Sequence, residues 1–166
     1  ISDSKKQLYP RAVGLTSGDY LIVWDSDYNS DGQFNVYGRR VDNGGNLLGS
    51  RISVNTASTY SVMYPYPFSI SDNDSTVPGG YGVVFMNEYI GTDTSGALIS
   101  DDDRYNVQYC LYNSSHAQIY SSNVDITSSD SSVDGLTISD GLVSATGLED
   151  GGFAISGTWF SGSTFE

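Results

Sequence analysis

A chain of 166 residues with 20 Asp and Glu against 7 Lys and Arg carries a formal charge of −13, which repels phosphate backbones and anionic headgroups and argues against nucleic acid and membrane surfaces as partners. Cys110 is the single cysteine, so an intramolecular disulfide and a cysteine-based zinc site are excluded. No run of about 18 apolar residues and no charged-then-apolar leader is present, which argues against membrane insertion and a retained signal peptide.

Gly 19 and Tyr 13 beside abundant Ser, Asp and Asn describe an aromatic, glycine-punctuated, helix-poor chain, the composition of β-rich proteins. A chain that starts at Ile1 rather than Met is expected to be a processed product, a proteolytic piece or part of something longer.

Taken in order, residues 1–7 read as the tail of a preceding unit. Residues 8–60 form a first unit, with strands expected at 11–15, 20–24, 34–41 and 51–54. Tyr20, Ile22 and Trp24 alternate with Leu21 and Val23; both sets are apolar, as in a strand buried on two faces. Thr16-Ser17-Gly18-Asp19 and Asp42-Asn43-Gly44-Gly45-Asn46 are hairpin turns rich in residues that tolerate positive φ. Residues 61–130 form a second unit, in which strands at 68–70 and 81–85 flank a longer glycine-containing loop. Residues 131–166 begin a third, from Ala145 through Gly151 and Phe153 to Trp159.

The units are copies of one another. The stretches 34–56 and 105–127 align without a gap, 71 residues apart, and Ala12, Leu15, Gly18, Tyr20 and Ile22 match Ala145, Leu148, Gly151, Phe153 and Ile155. Four-stranded antiparallel meanders in tandem are the pattern of β-propeller blades, each sheet covering its neighbour. Two full units with parts of others do not close a ring of four to eight blades. The fold expected is therefore all-β, a partial propeller that belongs to a larger chain or assembly, with a self-sufficient β-sandwich as the competing architecture.

Pro10, Ala12, Leu15, Gly18, Tyr20, Ile22, Trp24, Asp31-Gly32, Val36-Tyr37, Arg40, Gly49 and Val54-Asn55-Thr56 make the first unit resemble the propeller-type repeats of large secreted and cell-surface proteins, the RTX-like adhesins among them. The second unit departs, with Phe85 in place of Trp and Gln108 in place of Tyr. The resemblance implies an extracellular or cell-surface setting and an architectural or adhesive role.

Asp25, Asp27, Asn29, Asp31 and Asn35 alternate oxygen-bearing side chains around Gly32, a spacing that converges on a hard cation such as calcium. The EF-hand version fails, because Gly38 stands where a bidentate Glu is needed. The plain alternative is a hydrated Asp/Asn-rich turn. Asp101-Asp102-Asp103, at the corresponding point of the second unit, reads as a solvated acidic run. Asn73 and Asn113 head glycosylation triplets in expected loops.

His116 is expected in an exposed turn, at the position of Gly45, and Cys110 as an unpaired structural thiol or an intermolecular contact. The three glutamates, Glu88, Glu149 and Glu166, fall in no legible acid–base pair. The recurring tyrosines fit packing between units, or a sugar-stacking surface. These readings favour a non-enzymatic structural or adhesive module of an extracellular fibre or giant adhesin, partnered by neighbouring copies or by the rest of a longer chain. The alternatives are a calcium-dependent carbohydrate- or protein-binding module and a fragment of a secreted glycan hydrolase.

Overall fold

The computed structural model describes residues 6–28, 32–55, 61–88, 91–92, 98–99, 105–123 and 143–157, and every regular element among them is a strand. β1 (Gln7–Gly14), β2 (Tyr20–Ser26), β3 (Asn35–Val41) and β4 (Leu47–Ser53) pair in chain order as one antiparallel sheet. β5 (Val62–Ser69) and β6 (Tyr81–Glu88) open a second sheet. A minimal hairpin of β7 (Gly91–Thr92) and β8 (Leu98–Ile99) intervenes before β9 (Tyr105–Tyr112) and β10 (Gln118–Asn123) complete it. β11 (Val143–Gly147) and β12 (Phe153–Gly157) form a further antiparallel hairpin.

The two large sheets share one register. Trp24 stands opposite Tyr37 and Phe85 opposite Gln108; Ile22 stands opposite Arg39 and Val83 opposite Cys110. β1 reaches past the expected start at residue 11 because its proline is absorbed into a bulge between Leu8 and Arg11, and β5 repeats that bulge between Met63 and Tyr66. A bulge removes the ladder bond that proline cannot donate.

Turn chemistry repeats as closely. In each of the turns 15–19, 42–46, 113–117 and 148–152 the first residue donates to the carbonyl of the fifth, and the fourth donates back to the first. The fourth residue has positive φ: Gly18 at 87°, Gly45 at 83°, His116 at 65° and Gly151 at 99°. This is the three-residue hairpin loop that ends in a left-handed position. His116 occupies a glycine's place, and its ring lies 5.8 Å from that of Tyr81, so it is half-buried rather than exposed as expected. Desolvation there lowers its pKa, with the Arg40 guanidinium acting in the same direction.

The sheets stack face to face. Leu21, Val23, Val36 and Val54 of the first meet Val62, Tyr81, Val83, Phe85, Cys110 and Tyr112 of the second in one buried cluster. The Cys110 thiol is buried, which raises its pKa, and Sγ and the Tyr112 hydroxyl both donate to the Val54 carbonyl. On its far side the second sheet buries Val84, Met86 and Val107 against Val143 of β11. The expectation that the strand at 20–24 is buried on both faces fails for β2, and β6 is buried so instead: Tyr20 is 47% exposed while its counterpart Tyr81 is 1% exposed.

The turns at one end of the strands are tied to each other. Asp74 accepts from the Thr76, Val77 and Gly152 amides, at 2.7, 2.6 and 2.7 Å, which links the 70–80 loop to the β11–β12 turn. The backbone bond from Val77, then those from Gly152 and Thr76, hold its carboxyl below the usual carboxylate range. The link is therefore present above that range and is lost as the pH falls through the lowered pKa. Asp74→Ala is expected to speed hydrogen exchange at the Gly152 amide by roughly tenfold, the worth of one net hydrogen bond; unchanged exchange would show that the turn holds itself.

Candidate functional site

β1, β5 and β11 lie side by side and border an open cavity of about 370 Å³ lined by Arg11, Val13, Tyr66, Ser69, Ala145 and Thr146, among others. At the end that carries the two bulges lies a separate, tight crevice of about 10 Å³ between Tyr9, Arg11, Tyr64, Pro65, Tyr66 and Val143. Tyr-Pro occurs at the bulge of both units, Tyr9-Pro10 and Tyr64-Pro65. Each tyrosine has positive φ, 50° and 56°, a conformation that costs an aromatic residue energy and that clusters at functional sites. Their rings meet 4.5 Å apart at an interplanar angle of 54°.

Beneath this pair sits Asp25, at the end of β2 and fully buried at 0% exposure. Its Oδ2 accepts from the Tyr64 amide at 3.1 Å, and the Leu8 amide also donates to the carboxyl. One carboxyl thus holds both bulges together across the boundary between the sheets. Oδ1 has no hydrogen-bond partner. Burial pushes the pKa up to about 7, against the two amide bonds that lower it. A carboxyl placed so exchanges its proton near neutrality.

The expected calcium set lies in several places. Asp25 turns inward to backbone amides, and Asp27 follows β2 without belonging to a strand. Asn35 is buried at the start of β3, where Oδ1 accepts from Asn55 Nδ2 at 2.9 Å, while Asn55 Oδ1 accepts from the Val36 amide at 2.8 Å. Asn29 and Asp31 lie outside the described residues. Among those described, no three His, Cys, Asp or Glu side chains gather as a metal would require. The Val54-Asn55-Thr56 motif finds a physical role instead, because Asn55 satisfies the edge of β3 where the chain leaves β4 for β5.

Asn73 is exposed in the 70–80 loop, its Nδ2 donating at 3.4 Å to the Glu149 carbonyl, and Asn113 is half-buried as first residue of its turn. Glu149 is exposed; the side chain of Glu88, and residues 101–103 and 166, lie outside the description. Arg40 pairs with Asp19. Arg51 lies over the rings of Tyr28 and Tyr37, 3.9 and 4.2 Å from their centroids.

Sequence reasoning missed Arg11, the paired bulges and the inward turn of Asp25. The signal available was the Tyr-Pro dipeptide recurring at one position in two units.

No family model and no curated protein matches this chain. Among solved structures, it is similar to the α-L-arabinanase of Penicillium chrysogenum complexed with arabinobiose, with a TM-score of 0.58 and 13% identity over 92% of this chain and 40% of that one. The likeness makes the fold propeller-like, with open four-stranded antiparallel sheets. This chain spans less than half the length of that enzyme. The comparison corrects the expectation of a non-enzymatic structural or adhesive module: the solved structure that shares the architecture is a glycan hydrolase.

Proposed function

We propose that this chain forms part of a glycan hydrolase, and that the cavity of about 370 Å³ between β1, β5 and β11 is the wall it offers to a sugar. The observation that carries this reading is the fold shared with an arabinanase over 92% of the chain. The cavity has suitable chemistry. Tyr66 supplies an apolar ring with a hydroxyl at its edge, Arg11 supplies guanidinium donors, and the tyrosine pair held at positive φ closes the neighbouring end.

Asp25 is a positioning group in this scheme. It is buried and bonded to backbone, so it sets the two bulges and through them the tyrosine pair, while the acid and base of a hydrolytic reaction come from other carboxylates of the complete protein. The chain is therefore expected to bind arabinobiose weakly, with Kd about 1 mM, and to show no turnover of arabino-oligosaccharides alone. Arg11→Ala, at an exposed position, is expected to weaken binding about tenfold with the thermal transition unchanged. Absence of any chemical-shift change in the tyrosine rings on titration with arabinobiose would end the proposal.

A further inference from the structure

Of the turns 15–19, 42–46, 113–117 and 148–152, three hold glycine at the left-handed fourth position and one holds His116, at φ 65°. A side chain there carries a backbone cost that glycine avoids, and such costs persist where the side chain has a task. His116 is also the chain's single histidine. Its ring lies against Tyr81, at the start of β6, and its Nδ1 is buried with no hydrogen-bond partner.

The second sheet supplies this histidine and the first supplies the charges around it. Asp19, at the end of the β1–β2 turn, pairs with Arg40 of β3, the two side chains only 21% and 19% exposed. Arg40 acts on both His116 and Tyr81, and Asp19 acts on His116 in the opposite sense. The stacked Tyr81 and Tyr112 hydroxyls and the Cys110 thiol are pushed up by burial, that of Tyr81 to about 12, and carry no charge in mildly acidic solution.

A neutral imidazole suits this place. With its proton on Nε2, the buried Nδ1 is a bare acceptor. A second proton puts a donor on Nδ1 where nothing accepts it, and a cation beside the Arg40 guanidinium. The compensating carboxylate, Asp19, is already held by Arg40.

We propose that His116 is a pH-responsive latch between the two large sheets, closed over Tyr81 beside the Asp19–Arg40 pair while its imidazole is neutral, and released in mild acid when the imidazolium competes with Arg40 for Asp19. Folded His116 takes up its proton less readily than the unfolded chain does, so the stability of the closed latch is present above the ordinary value of 6.5 and is lost as the pH falls through the lowered one. Thr16 of the β1–β2 turn donates to the Gly79 carbonyl at 3.4 Å, so release reaches the 70–80 loop as well. The device is independent of the sugar-binding reading.

NMR on the 166-residue chain between about pH 5 and 7.5 tests it. The single histidine ring is expected to titrate below 6.5, and Asp19→Asn to lower its midpoint further. The Leu15 and Gly18 amides, bonded within the 15–19 turn, are expected to lose roughly tenfold in exchange protection as the ring takes up its proton, the worth of one net hydrogen bond. His116→Gly gives the turn the residue its counterparts carry, and is expected to hold that protection constant across the window. Asp25 stays in place in both proteins, so the difference belongs to His116. A ring that titrates at or above 6.5, a midpoint unmoved by Asp19→Asn, or the same loss of protection in His116→Gly as in the wild type each overturns the latch. If His116→Gly disturbs the 113–117 turn, His116→Asn, which also tolerates positive φ and takes no charge, is read in the same way.

Discussion

Asp25→Asn should abolish the main pH dependence of stability between pH 4 and 7 and should leave the variant more stable than the wild type above pH 7. In the folded chain the carboxyl keeps its proton up to about pH 7, and the unfolded chain releases it near 3.8. Between those values the native state binds more protons than the unfolded state, so wild-type stability falls as the pH rises through that window and levels off above it. Three pKa units correspond to a ceiling of about 4 kcal/mol, and rearrangement around the charged form brings the expected gain at pH 8 to about 2–3 kcal/mol. The amide keeps an acceptor for the Tyr64 and Leu8 amides. The measurement is chemical denaturation at pH 4.5 and pH 8 for both proteins; parallel behaviour across the two would show that Asp25 is ionised throughout and that burial does not govern it.

Phe85→Ala is expected to cost about 3–5 kcal/mol, the range for removing a buried aromatic ring and leaving a cavity. The ring is 1% exposed in the cluster that joins the two large sheets. Trp24→Ala removes the register counterpart from the open face and is expected to cost no more than about 1.5 kcal/mol. The ratio matters more than either value, because both substitutions delete an aromatic ring from corresponding strand positions, one covered by a second sheet and one not. Equal losses would mean that the stacking of sheets contributes little, and the burial argument for the whole fold would fail with it.

Much of the local structure was legible in the residues. The alternation in 20–24 and 34–41 marked β2 and β3, and the glycine-bearing turns marked the hairpins, because strand period and positive-φ turns are written in neighbouring residues. The correspondence of His116 with Gly45 was visible in the same alignment, and it explains a left-handed histidine. The bulges were not legible, since only the strand pairing shows where the donors that Pro10 and Pro65 lack would fall. The burial of Asp25 was not legible either: in the sequence it reads as one of an acidic series, and only the neighbouring sheet supplies the Tyr64 amide its carboxyl accepts from.

By itself, then, the chain's order of residues determined its main strands and its turns, because each depends on groups a few positions apart. The tertiary structure decided which of two equally apolar faces is covered, where a lone carboxyl is buried and which first strands share a crevice. Those depend on contacts between residues far apart in the chain, as Asp25 and Tyr64 are, and solvent exclusion at such a contact is a property of both partners together.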